Sequence, residues 1–308
     1  MIRVHLDTDL GSDTDDLCAL AMLLGWPGVV LTGITTTTDP GGIRAGFVRY
    51  ALGLAGRADV PVVAGAEGSL GGLYVPLAFP DHWPEPIEPE PAAPGAALDA
   101  IASSVDAGAA VVAVGPYTNL AAFEAWRPGA LAAVGTVVMG GHVPAPAGGL
   151  PPWGMTDDFN VQQDTTAARI VFGRCAPTVV PVSTALRVAV RRRHLAPLRS
   201  AGALGTLLAD QAEAHARENG RPELPSIYPA LPSDLLNFQY DPLACAVAIG
   251  WDGVTLRDLP VELSSEGSFV GMRERDGAPT MRIATGVEAE RFEDAWLDAV
   301  VRASTRAA

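Results

Sequence analysis

Five aspartates crowd into residues 7–16: Asp7, Asp9, Asp13, Asp15 and Asp16, within the run VHLDTDLGSDTDDLCALAMLL. Carboxylates a few ångströms apart raise one another's pKa values. Such a group must share protons, splay into water or be neutralised by a cation. A hard divalent ion at a strand end is the simplest answer. Calcium takes about six to eight oxygens in a flexible shell, whereas magnesium wants an octahedron and keeps several waters. The plainer alternative is an acidic, solvated loop in which Asp15 or Asp16 caps the next helix. A water polarised beside Asp9 could be deprotonated and aimed at an electrophilic carbon. If that carbon is anomeric, the transition state is oxocarbenium-like, and carboxylates favour its positive charge.

The acids need rigid positions. Val4 and Leu6 read as a short strand, on which Asp7 and Asp9 share a face. Gly11 and Ser12 supply a turn, and Leu17, Leu20, Ala21 and Leu24 recur at helical spacing. Further strands are expected over 29–35, 60–64, 109–115, 134–139 and 178–181. Helices are expected over 43–54, 98–105, 120–126, 164–172 and 204–218. A helix opened by Asp241-Pro242 follows, because proline suits the first turn. The tail carries strand-like segments such as 281–284 and ends in a helix over 290–301. This alternation predicts an α/β fold, a mainly parallel central sheet flanked by helices, in one domain spanning 1–308. Ligands of such sheets sit beyond the carboxyl ends of the strands, where Asp7, Asp9 and Asp39 are expected. Residues 65–95, rich in Gly and Pro and carrying Tyr74, Phe79 and Trp83, read as a long ordered loop over the site. Residues 143–154 form a second such loop. Arg187 and Arg191 to Arg193 read as a solvated surface.

Several function classes drop out. The formal net charge of -14 argues against a nucleic-acid partner. All 21 basic residues are arginine, so neither a Schiff-base nor a phosphate-loop lysine is present. The dinucleotide fingerprint and the Gly-x-Ser-x-Gly elbow are missing, and His5, His82, His142, His194 and His215 show no zinc-like spacing. Cys18, Cys175 and Cys245 each sit in an apolar run and read as buried free thiols. No secretory signal or membrane-spanning run is evident, so a cytoplasmic setting without a membrane partner is the expectation.

The acidic run resembles the amino-terminal signature of the nucleoside hydrolase family, the inosine–uridine-preferring type, usually Asp-x-Asp-x-Gly-x-Asp-Asp. Asp7, Asp9 and Gly11 fit, and Asp15-Asp16 supply the adjacent pair after two extra residues, with Asp13 competing for the first place. Gly115 to Asn119, GPYTN, is similar to the family's Gly-Pro-Leu-Thr-Asn. Val137 to Gly141, VVMGG, is similar to its next core strand. Asp158 to Asn160, DFN, is similar to Glu-Phe-Asn, and Tyr240 to Ala244, YDPLA, to His-Asp-Pro-Leu-Ala. The resemblance implies calcium-dependent hydrolysis of the N-glycosidic bond of a ribonucleoside or related ribosylated metabolite, by a homodimer or homotetramer. It implies Asp9 as general base and metal ligand, with Asp16, Asp241 and the Thr118 carbonyl as further ligands. Asp15, Asp158 and Asn160 would hold ribose, and Asp7 would be structural.

Departures from the pattern qualify these roles. Tyr240 replaces the histidine that assists departure of the base in some members, and a phenol is a weaker acid at neutral pH. The usual glycine–asparagine after the second strand is replaced around Thr38, Asp39 and Pro40, leaving Asp39 either on ribose or metal or as a loop cap. The His-Gly-x-x-Gly loop is not recognisable, and His82 and Trp83 would occupy its space. Asp158 is one methylene shorter than the family's glutamate. Trp83, Trp153 or Tyr240 could stack on a base. Two alternatives stay open: a modified nucleoside as substrate, or a non-catalytic sugar- or nucleoside-binding protein.

Overall fold

The computed structural model describes residues 1–71, 83–84 and 86–305. The first half alternates strand and helix: β1 (Ile2–Thr8), α1 (Asp15–Gly25), β2 (Val29–Thr36), α2 (Ile43–Leu54), β3 (Val62–Ala64), α3 (Ala96–Asp106), β4 (Ala110–Ala113), α4 (Thr118–Trp126), α5 (Ala130–Val134) and β5 (Thr136–Met139). Next come α6 (Phe159–Gln163), α7 (Thr165–Arg174), β6 (Thr178–Val180), α8 (Val182–Ala185), β7 (Ala189–Arg191), α9 (Arg192–Ala201), α10 (Ala203–Glu218) and α11 (Leu224–Ile227). The last part holds β8 (Leu235–Phe238), α12 (Tyr240–Ala248), β9 (Val254–Glu266), β10 (Phe269–Glu274), β11 (Thr280–Val287) and α13 (Ala289–Thr305).

The sheet runs in the order β10-β9-β11-β6-β5-β4-β1-β2-β3. From β11 to β3 every pair is parallel, while β9 and β10 extend the edge antiparallel. Strands of this kind are covered on both faces and read as near-continuous apolar runs. Alternate residues accordingly enter different cores. Val112, Val137 and Val180 join one cluster with α1, α12 and α13. Val111, Val138 and Val179 join the other with α4 and α7. The chain leaves β1 for β2 and β3, then returns to lay β4 on the other side of β1. That reversal leaves a crevice outside the carboxyl ends of β1 and β4, the usual ligand site of such sheets.

The remaining elements bring Asp241 to this crevice. A separate two-stranded antiparallel sheet, β7 with β8, leads into α12, which packs on α1. Helix α13 lies against α1 as well. The Trp296 indole donates to the Cys18 carbonyl at 3.2 Å, and Arg302 Nε to the Gly25 carbonyl at 3.1 Å. Gly25 permits this approach, since a Cβ there would fall 1.8 Å from the Ala299 carbonyl oxygen.

Three expectations change. Val134 ends α5, and β5 starts only at Thr136, after Gly135 has turned the chain at φ 79°. The helix expected over 164–172 is preceded by α6, because Asp158 and Asp164 each accept a backbone N–H three residues on and so start separate helices. The arginine-rich stretch is partly structural. Arg191 pairs with Asp234 at 2.7 Å, and Arg193 with the buried Glu293 at 2.9 Å. Of the loop over 65–95, Tyr74, Phe79 and His82 lie outside the described residues. Trp83 packs between Phe47 and Tyr50 and donates to the Gly11 carbonyl. Among the described residues, no helix is long and apolar enough to cross a membrane, and Cys18, Cys175 and Cys245 are free and buried.

Candidate metal and sugar site

Asp7 stands at the end of β1 and works as a strut. Its Oδ1 accepts the Thr35 hydroxyl of β2 and the Asn119 amide of α4, the latter at 2.8 Å. Burial pushes the carboxyl up to about 7, against the pull of those two hydrogen bonds. The Thr35 hydroxyl also meets His5 Nε2 at 3.0 Å, and burial holds that imidazole down at about 3, so it is neutral. Asn119 ties the same corner to the Thr36 carbonyl at 2.8 Å.

Asp16 is turned back toward the strand end, where its Oδ1 accepts the Thr8 hydroxyl and, at 3.2 Å, the Asp9 N–H. Asp15 and Asp16 occupy the first turn of α1, where the helix dipole favours negative charge. Neither caps α1: its N-cap is Thr14, whose hydroxyl makes no capping bond and instead accepts the Asn237 amide at 3.1 Å. Asp241 enters from the first turn of α12. Oxygens of Asp15, Asp16 and Asp241 lie within 4.8 Å of one another, and all three side chains are buried. Burial pushes each carboxyl well above its ordinary value, and the neighbouring carboxylates push it further. Asp9 adjoins the trio. Burial raises its carboxyl too, and Arg44 pulls it back. An all-oxygen donor set that repels itself suits a hard divalent cation. The resemblance puts Asp9 among the ligands and Asp15 on ribose; the tight group instead contains Asp15 and leaves Asp9 beside it.

A cavity of about 760 Å³ opens over these acids, a size typical of small-molecule sites. Asp9, Asp15, Asp16, Asp241, Asp158, Asn160 and Tyr240 all line it. Asp158 caps α6 by accepting the Val161 N–H at 3.2 Å, and its other oxygen accepts the Gly141 N–H. Burial pushes its carboxyl up to about 6. Asn160 donates to the carbonyls of Val114 at 2.6 Å and Met139 at 3.1 Å, clamping the ends of β4 and β5.

Two expected residues do not reach the cavity lining. Asp39 is wholly buried and serves as a loop cap. Its carboxylate accepts the Thr36 hydroxyl and the N–H groups of Arg44 and Ala45 at 2.6, 2.7 and 3.1 Å. This corrects the expectation that it faces ribose or metal. Thr118 turns its hydroxyl to Asp164 at 2.7 Å, and it too is absent from the cavity lining.

Beyond the acids, the lining comes from scattered places. Tyr240 packs its ring 5.4 Å from Phe238, and burial raises its phenol well above the ordinary value. Trp153 meets Phe238 edge-on at 5.5 Å, and the Arg221 guanidinium lies 5.4 Å from both rings. His215, near the end of α10, sits 3.4 Å from Asp13 through Nε2 and 3.3 Å from the Asn219 amide through Nδ1. Asn237 also holds Asp13, at 2.6 Å. Sequence reasoning missed His215, Asn219 and Arg221 because they follow no motif. It also missed Arg44, whose guanidinium lies 3.8 Å from Asp9.

Comparisons with known proteins bear on the family and the fold. A family model described as "Inosine-uridine preferring nucleoside hydrolase" matches residues 4–294. A pyrimidine-specific ribonucleoside hydrolase, RihA of Enterobacter sp. (strain 638), is 31% identical over 193 residues, which is 58% of this chain. The match spans 59% of that relative's length. Among solved structures, the plant nucleoside hydrolase PpNRh1 superposes with a TM-score of 0.77 at 22% identity, covering 97% of this chain and 99% of that one. A purine-preferring ribonucleoside hydrolase from Gardnerella vaginalis gives 0.75 at 24% identity, with 99% of both chains covered. These two likenesses concern the fold.

Proposed function

Because the chain belongs to the inosine-uridine preferring nucleoside hydrolase family, we propose that it splits the N-glycosidic bond of a ribonucleoside or a related ribosylated metabolite with water, using calcium. The observation that carries this reading is the meeting of Asp15, Asp16 and Asp241, two of them more than two hundred residues from the third, in a buried oxygen cage beside Asp9.

In this reading Asp15, Asp16 and Asp241 would hold the cation, with Asp9 beside them at the same cavity. Calcium bound there would supply Lewis acidity and make a neighbouring water easier to deprotonate. Asp9 takes the proton of the attacking water. The water oxygen bonds to the anomeric carbon, the carbon–nitrogen bond breaks, and the base leaves with the electron pair. The buried carboxylates favour the positive charge that builds on the sugar. Asn160 orients the sugar, with Asp158 bracing the Gly141 turn and the start of α6 beside it, while Trp153 and Tyr240 flank the base. Tyr240 acts only as a hydrogen-bond donor, because its phenol holds its proton too tightly to serve as an acid near neutral pH.

One observation favours a ribosylated compound other than a common nucleoside. Asp158 already gives its two oxygens to backbone N–H groups, and Asp39 has left the cavity, so the sugar contacts differ from the family pattern. A nucleoside panel, followed by chromatography of released base and by reducing-sugar assay with and without calcium, separates the readings. Calcium-dependent base release is expected from wild type, with none from Asp9→Ala. Full turnover by purified Asp9→Ala protein would sink the assignment.

A further inference from the structure

The loop after β2 departs furthest from the family pattern, and it builds a seat for an arginine. Asp39 caps the start of α2 through the N–H groups of Arg44 and Ala45, which fixes Arg44 in the first turn. Thr38 takes a left-handed backbone with φ 52°, uncommon for a β-branched residue. Its carbonyl accepts Arg44 Nε–H at 2.8 Å. The side chain is completely buried, and the guanidinium reaches to 3.8 Å from Asp9 Oδ2. On its other side Asp9 is fenced by Gly115, where a Cβ would fall 2.7 Å from Oδ1.

A fully buried guanidinium is costly unless a carboxylate answers it, and an apolar side chain of similar volume would pack the core as well. A cation at the amino end of a helix also opposes the helix dipole. A left-handed threonine and a buried arginine thus work against local preference, a capping aspartate anchors them, and what they achieve together is one positive charge beside Asp9. We propose that Arg44 is a positioning residue for Asp9, holding its carboxylate between guanidinium and Gly115 so that it faces the attacking water. The proposal rests on the reading of Asp9 as general base. Lysine would keep the charge but lack the planar fork that Thr38 and Asp9 share.

The test uses Arg44→Gln, Arg44→Lys and Asp9→Asn, with Arg44→Gln also made in the Asp9→Asn background. Readouts are kcat and KM on the best panel substrate, and calcium affinity by calorimetry. Arg44→Gln is expected to lower kcat about 100-fold, the scale of a misplaced catalytic group, with KM changed less than about threefold. Arg44→Lys should recover part of the loss. In the Asp9→Asn background Arg44→Gln should cost nothing further, because its effect passes through Asp9. Calcium should bind Arg44→Gln about tenfold more weakly, whereas removal of a repelling charge alone would tighten it. An unchanged kcat, a full additional loss in the Asp9→Asn background, or tighter calcium binding overturns the proposal. If Arg44→Gln does not fold, Arg44→Lys decides by the same split, since a charge without the fork must still lower kcat. If wild type binds calcium but turns over nothing, the hydrolase reading fails, and the calcium arm still judges Arg44.

Discussion

The two sides of the cavity are built differently. Asp9, Asp15 and Asp16 come from one strand end and the helix start that follows it, and Asp241 from another helix start; all four are buried. Trp153, Asn219 and Arg221 come from a loop, a helix end and a turn, Tyr240 from the start of α12 beside Asp241, and all four remain half-buried or exposed. Among the acids, Asp16 is fixed by Thr8 and the Asp9 N–H, and Asp9 stands 3.8 Å from Arg44. The other side is held by ring stacking and by a cation over rings. Geometry that must be accurate for bond breaking is placed on rigid elements, while contacts that select a ligand tolerate movement. Substitutions on the strand-end side should therefore abolish turnover, and those on the helix-end side should shift affinity.

After Asp9→Ala, the largest effect is expected from Asp241→Ala, which should lower kcat at least about 1,000-fold by removing a carboxylate from the proposed cation site. Steady-state base release checks it; a drop under tenfold would erase the contrast. Next is the pH dependence of the metal-free protein. Asp158 is pushed up to about 6 and Asp7 to about 7 by burial. Below about pH 4 both are protonated in folded and unfolded chains alike. As pH rises from about 4 the unfolded chain releases its protons first, while the folded chain keeps them until about 6 and 7, so stability is lost across that window. The melting temperature in chelator should fall between pH 4 and 7. Calcium at about 100 times its Kd should return roughly 2.7 kcal/mol at pH 7. A flat melting profile in chelator would show that these carboxyls are not strained by burial.

Smaller effects belong to the other side. Trp153→Ala should raise KM about tenfold, the scale of an aromatic contact, and leave kcat within about threefold. A kcat collapse instead would place Trp153 with the acids. Tyr240→Phe should change kcat/KM by about threefold at most, the scale of one hydrogen bond, without moving the pH profile. A lost limb of that profile would make the phenol the acid after all.

The strand-end acids were legible because they are contiguous and their types conflict with a buried strand. The alternation of strand and helix likewise revealed the parallel sheet. Asp39 was misplaced because its position at the carboxyl end of β2 suggested ligand contact, whereas the nearer N–H groups of α2 captured its oxygens. Asp15 was assigned by resemblance, and only the three-dimensional approach of Asp241 draws it into the cage. His215, Arg221 and Trp153 share no period or motif, so nothing along the chain links them. Arg44 did leave a signal: a basic residue in the first turn of a helix runs against the dipole and calls for a reason.

The docking of α13 on α1 has a consequence for synthesis. Trp296 reaches Cys18 across 278 positions, and Arg302 reaches Gly25 across 277. The aspartate-rich segment leaves the ribosome more than two hundred residues before Asp241 and the covering helix. A nascent chain therefore carries its self-repelling acids unassembled for all of that interval, exposed to solvent or to chaperones. Any cation these three carboxylates hold must be captured after Asp241 has emerged, and chains stalled before it lack the trio.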